Sequence, residues 1–218
     1  MKFTNIKTYY FKPDSVNGFL ADLTQFNNEV DHIKLHEETI AENEIQAGVD
    51  VVNFEPIVLS LYPDVILNNV SESFETKKLI LLDGHHRWKY ASQLNLINKL
   101  KFILVNFRDI KIKSYLFSIN LHMDKFLKFL NNEGYSSSNH GSIGISFGNE
   151  MYVNKNISNI YELYKFKKTM QENEIITPIL DDKKDSSKLI KFTSLNPSEL
   201  LNINHLLPPK STWITPRI

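Results

Sequence analysis

The chain has 218 residues, 42% of them hydrophobic and 23% charged, a balance that supports a folded core and excludes a disordered tail. Lys and Arg total 25 against 25 Asp and Glu, so no net field draws the chain to nucleic acid or to an anionic membrane. There is no cysteine, which excludes disulfides, thiolate metal sites and cysteine nucleophiles together.

Met1 to Tyr10 mixes Lys and Asn with aromatics in place of an apolar signal segment, and no apolar run is long enough to span a bilayer. A cytoplasmic protein is expected. The sequon Asn69-Val70-Ser71 carries no weight in a chain this rich in Asn and Ser without a secretory signal. Glu38 to Gly48 reads as a short helix closed by Gly48, with Glu37 at its N-terminal edge.

Glu55 to Leu61 reads as a strand, 68–78 as a polar connection and Leu79 to Leu82 as a buried strand. That strand delivers Asp83 to the sheet edge, Gly84 allows a tight turn, and His85, His86 and Arg87 open the following helix. Arg87 to Leu96 carries Trp88, Ala91 and Leu94 on helical spacing, and Lys101 to Phe107 returns as an alternating strand. Leu116 to Leu130 presents Leu116, Ile119, Met123, Phe126, Leu127 and Leu130 as an apolar helical stripe, read as core.

Ile143 to Phe147 and Met151 to Val153 flank Gly148-Asn149 as a hairpin, within a region that begins rich in Gly and Ser. Ile157 to Asn173 reads as an amphipathic helix and Asp181 to Asp185 as a solvated loop. Asn196 then caps a short helix toward Asn204, with Pro197 at its first position and Glu199 in its first turn. In the tail, Pro208 and Pro209 stiffen the approach to Lys210, Ser211 and Thr212, a lysine and two hydroxyls suited to phosphate or a metal. The apolar flanks Leu206, Leu207 and Trp213 suit a docked tail better than a free one.

The segment from Asp83 to Arg87 has the outline of an anion site. Backbone N–H groups and the dipole at a helix start attract phosphate, and Arg87 brings a planar fork of donors. The plain alternative is a charged helix start with solvated histidines. Asp83 at the end of a buried strand lies where α/β folds bind ligands; it can orient a hydroxyl, hold magnesium or cap the helix. His85 and His86 point to different sides, so they do not clamp one metal by themselves, and His122 and His140 have no spacing partner. Neither a Gly-x-x-x-x-Gly-Lys-Ser/Thr loop nor a protein-kinase signature is present.

Asp83-Gly84-His85-His86-Arg87 after an apolar strand resembles the signature of the ParB/sulfiredoxin-like superfamily, and most closely that of free L-serine kinases and their relatives. Leu35-His36-Glu37-Glu38 upstream of Pro56-Ile57-Val58 is similar to a segment of those kinases, and Pro208-Pro209-Lys210-Ser211-Thr212 resembles a C-terminal element of related proteins. The resemblance implies an α+β fold, with a ParB/sulfiredoxin-like nucleotide-binding catalytic domain over 1–109. A smaller mixed α/β part would follow over 110–218, its tail (207–218) folding back on the active site.

It also implies a kinase that moves a phosphoryl group from ATP or ADP, with Mg²⁺, to a small hydroxyl compound, in particular L-serine to O-phosphoserine. Glu37 would be the general base and Asp83 a second catalytic carboxylate and magnesium ligand. Gly84, His85, His86, Arg87, Lys210, Ser211 and Thr212 would hold the nucleotide phosphates. By itself Glu37 also reads as a solvated helix-start acid. Two other functions stay open: a ParB-like CTP switch or DNA-associated regulator, since Gly84 to Arg87 also resembles the Gly-x-x-Arg box of ParB proteins, and a nucleotide or amino-acid sensor without turnover.

Overall fold

The computed structural model describes residues 1–12, 15–26, 30–32, 50–68, 72–138, 142–179, 188–202, 207–208 and 211–216. The helix expected over Glu38 to Gly48, the loop expected over Asp181 to Asp185, and Glu37 and Lys210 lie outside the described residues. The chain divides into two units, one of Met1–Ile33, Ile40–Lys111 and Ile214–Ile218, the other of Lys34–Thr39 and Ile112–Trp213. It is a mixed α/β chain.

The first unit is built on a mixed sheet. Its strands are β1 (Lys2–Phe11), β2 (Val16–Gln25), β3 (Val30–His32), β4 (Ile57–Ser60), β5 (Ser73–Glu75), β6 (Leu79–Asp83) and β7 (Lys101–Val105), in the order β3-β6-β4-β7-β2-β1-β5. β4 runs parallel to β7 and antiparallel to β6, so all of β4 and the first four residues of β6 are buried. Strands covered on both faces read as continuous apolar runs, which is why Leu79 to Leu82 announces itself. Helix α1 (His85–Gln93) lays Trp88 and Ala91 on this core, and Trp88 meets Phe26 and Phe102 edge-on at ring separations of 5.6 and 6.1 Å.

The long β1–β2 hairpin has no counterpart in the sequence reading. Its alternation is broken by register shifts between Lys2 and Phe3 and between Thr4 and Lys7, with Asn5 at a φ of 54°, so the period of two is lost midway.

In the second unit the sheet order is β10 (Ser136–Ser138), β12 (Glu150–Val153), β11 (Ile145–Phe147), β14 (Leu189–Phe192), β9 (Leu116–Ile119) and β13 (Ile176–Ile179). The helix expected from Leu116 to Leu130 is two elements: strand β9, then α2 (Met123–Asn132). β9 lies between β14 and β13, and Phe117 and Ile119 alternate into the core; the pair Leu116 and Ile119 matches helical spacing by coincidence. The β11–β12 hairpin turns at Gly148, φ 56°, as its Gly-Asn pair implies. Helix α3 (Ile160–Glu172) starts later than the pattern suggests because the Asn159 side chain caps it, accepting from the Glu162 N–H. The short helix at Pro197–Asn202 is a 3₁₀ turn. β8 (Lys111–Ser114) pairs with β15 (Thr212–Thr215), and the division between the units falls within both strands.

One core residue of the second unit is a cation. Lys167 on α3 is fully buried, with its Nζ 5.6 Å from the centre of the Phe117 ring and 5.8 Å from that of Tyr164. It donates to Ser211 Oγ at 3.0 Å, and Ser211 in turn donates to the Pro208 carbonyl. Truncation to Lys167→Ala should lower the unfolding free energy by about 2–5 kcal/mol, as for other long core side chains. Lys167→Met keeps the volume and should cost less in the same urea titration. Equal losses in the two variants would mean that the filled volume is not what Lys167 contributes.

Candidate functional site

The central feature of the first unit is the passage from β6 into α1. Gly84 sits between them at φ 91° and ψ 25°, a left-handed conformation that glycine adopts without steric cost. A Cβ there would lie 3.0 Å from Ile57 Cγ1 and 3.2 Å from Arg87 Nε and Nη2, so side chains are excluded by space as well as by φ. Gly84→Ala should therefore destabilise the unit by about 1–2 kcal/mol from the backbone alone, read as a lower midpoint in chemical unfolding. A midpoint at or above the parent value would contradict this account of the turn.

The helix start is open to an anion. No side chain caps it and no acid occupies its first turn; the Gly84 carbonyl accepts from the Trp88 N–H at 2.9 Å. Helix N-termini in this condition attract anions through their N–H groups and dipole. His86 is exposed, whereas His85 is half-buried with its Nε2 atom buried.

Arg87 turns back toward the sheet. Its Nη1 donates to the carbonyls of Glu55 at 2.8 Å and Pro56 at 3.0 Å, and its Nη2 donates to Asp83 Oδ2 at 3.4 Å. The Glu55 carboxylate lies 3.7 Å from Nη1. Arg87 and Asp83 side chains are each 18% exposed, so the pair is partly screened by solvent yet within reach of a ligand. The guanidinium thus ties the start of β4 to the first turn of α1 and fixes the Asp83 carboxylate beside Gly84. Sequence reasoning did not foresee the Glu55 and Pro56 carbonyls, because backbone acceptors leave no mark in side-chain patterns.

Among the residues singled out from sequence, Asp83, Gly84, His85, His86 and Arg87 come together. Ser211 and Thr212 belong to the second unit and are buried there, 0% and 1% exposed, with Ser211 held by Lys167 and Pro208. Leu207 is buried as well, and the Trp213 ring packs edge-on against Tyr115 at 4.6 Å, so the described part of the tail is docked. Lys167 was missed, although the signal existed: Ile160, Leu163, Tyr164, Lys167 and Met170 form a helical stripe, and the lysine sits inside it.

Among the described residues no group of three or more His, Cys, Asp or Glu side chains could hold a metal ion. Magnesium, however, commonly takes one or two carboxylates and completes its shell with phosphate oxygens and water. Asp83, part-exposed at a strand end beside an uncapped helix start, fits that limited role. No helix of the described residues is long and apolar enough to cross a membrane.

No family model matches the chain, and no curated protein sequence does. Among solved structures, it is similar to SbnI with C-terminal truncation from Staphylococcus aureus, with 12% identity, 86% of this chain and 80% of that chain covered, and a TM-score of 0.54. A mutant free serine kinase in complex with AMP aligns at 14% identity over 97% of this chain and 90% of that one, with a TM-score of 0.47. A conserved hypothetical protein from Pyrococcus furiosus aligns at 14% identity, 96% and 92% coverage and a TM-score of 0.43. The SbnI alignment shows that the chain shares the fold of that protein.

Proposed function

We propose that the chain is a nucleotide-dependent kinase that phosphorylates the hydroxyl of a small molecule, with free L-serine as acceptor and O-phosphoserine as product. The observation that supports this most is the passage from Asp83 through left-handed Gly84 into an uncapped helix start, with the Arg87 guanidinium bonded to Asp83. Phosphoryl transfer asks a protein mainly for positioning and charge neutralisation, which backbone N–H groups, histidines, an arginine and one carboxylate can supply.

In this reading the N–H groups of the first turn, with His85 and His86, hold the phosphates of ATP or ADP. Arg87 adds positive charge while it keeps Asp83 and β4 in place. Asp83 orients the acceptor hydroxyl or would hold Mg²⁺, which when bound would offset negative charge on the phosphates. Glu37 takes the proton from the acceptor hydroxyl. Lys210, Ser211 and Thr212 form a second phosphate-binding element, in which Ser211 is held by its bonds to Lys167 and Pro208 and Lys210 carries the charge. The balanced charge of the chain speaks against nucleic acid as a partner.

The site assignment is tested by titrating labelled protein with ADP and Mg²⁺ and following backbone amide resonances. The largest shifts are expected at Gly84, His85, His86 and Arg87. Saturable binding that leaves these amides unmoved would place the nucleotide elsewhere and remove the basis of the proposal.

A further inference from the structure

The first unit contains a second candidate site, at the other end of its sheet. β4 begins beside Asp83, with Val58 paired to that residue, and ends at Ser60 and Leu61, where Ser60 pairs with Val105 and the Leu61 N–H donates to the Val105 carbonyl. Beyond that far end lies a cavity of about 620 Å³, within the range of small-molecule pockets.

Among the described residues, three charged side chains line it: Arg108, Asp109 and Lys111. Arg108 and Lys111 are exposed and Asp109 is half-buried, and among the described residues none of the three forms an ion pair. A ligand therefore need not displace an internal salt bridge to reach them. Asn106 is buried and already committed, since its Oδ1 accepts from the Leu67 N–H at 2.8 Å and its Nδ2 donates to the Leu67 carbonyl at 3.2 Å. It fixes the wall of the cavity. Ser15, also in the lining, lies in the connection between β1 and β2 with a φ of 52°, as hairpin turns require. Thr8 and Asn17 add neutral hydrogen-bonding groups.

We propose that this cavity binds an α-amino acid with an acidic side chain. The described lining offers two cations and one anion, and such a ligand offers the complement, two acidic groups and one ammonium. The planar fork of Arg108 suits a carboxylate or phosphate, Lys111 serves the second acidic group as a point charge, and Asp109 accepts from the ammonium. A simple dianion would leave Asp109 facing like charge; a neutral amino acid would leave one cation unmatched. A nucleotide fits less well, because its phosphates would meet Asp109 as well as the two cations. The acidic group can be a carboxylate or a phosphate ester, and the experiment distinguishes them.

The test is calorimetric titration of the full chain with L-aspartate, O-phospho-L-serine, L-serine and succinate. Saturable binding of L-aspartate or O-phospho-L-serine is expected, at least tenfold tighter than that of L-serine or succinate, and the tighter of the two identifies the preferred acid. Arg108→Gln and Asp109→Asn should each weaken that binding at least tenfold. Both positions have accessible side chains, and an unchanged unfolding midpoint confirms that the variants fold. His86→Ala, at the opposite end of the sheet, should leave the affinity for L-aspartate unchanged. Succinate bound as tightly as L-aspartate, no binding of either acidic amino acid, or affinity indifferent to Asp109→Asn would each overturn the proposal. So would affinity for L-aspartate lost in His86→Ala but kept in Arg108→Gln.

Discussion

Glu37→Gln is expected to lower turnover by about 10²- to 10⁴-fold while nucleotide and acceptor still bind, the usual contribution of a positioned general base. Gln preserves the length and shape of the side chain and removes only the basic oxygen, so the loss should appear in kcat and spare KM. Glu37→Asp keeps a carboxylate one methylene short and should recover part of the rate. The pair separates chemistry from binding. If Glu37→Gln phosphorylates the acceptor at the parent rate, the base lies elsewhere, and Asp83 is the carboxylate to test next.

Arg87→Ala should show two losses at once. Removing a charged hydrogen-bonding partner weakens nucleotide binding by roughly 1.5–3 kcal/mol, about tenfold or more in affinity. The same change leaves the Glu55 and Pro56 carbonyls and the Asp83 carboxylate without their shared donor, so the unfolding midpoint should fall as well. Arg87→Lys distinguishes the roles. Its ammonium restores charge but cannot span both carbonyls and Asp83 in one plane, so it should recover affinity in part and stability hardly at all. Nucleotide affinity and stability both unchanged in Arg87→Ala would contradict the site and the bracing role together.

The region around Asp83 was legible in the sequence because several signals coincide there. Four apolar residues end at an acid and a glycine, and the fold buries that strand on both faces and needs the left-handed turn at Gly84. The passage from β11 into β12 was legible for the same reason, since a Gly-Asn pair between short apolar runs has few structural solutions. Leu116 to Leu130 misled because spacing is ambiguous over four residues. Leu116 and Ile119 match a helix, whereas Phe117 and Ile119 match a strand, and the choice was made by the neighbours β14 and β13, far away in sequence.

The N-terminal hairpin was hidden by irregularity. Register shifts in β1 break the alternation on which strand detection depends. At the candidate site, residue types disclosed Asp83, Gly84, His85, His86 and Arg87, but the direction of Arg87 depends on carbonyls 31 and 32 residues away. Lys167 was legible in principle. Helical periodicity puts it in the buried stripe, and the assumption that a lysine faces solvent concealed it.

The most direct test of the proposed function is a search for phosphorylated product. The purified chain is incubated with Mg²⁺, L-serine and, in separate reactions, ATP, ADP and CTP, and the mixture is read by ³¹P NMR and mass spectrometry. The account predicts O-phosphoserine with ATP or ADP, in amounts that exceed the protein and fall sharply with Glu37→Gln. Nucleotide that binds without any phosphorylated hydroxyl appearing, with L-serine or across a panel of other hydroxyl compounds, would contradict the kinase reading and favour a nucleotide switch or sensor.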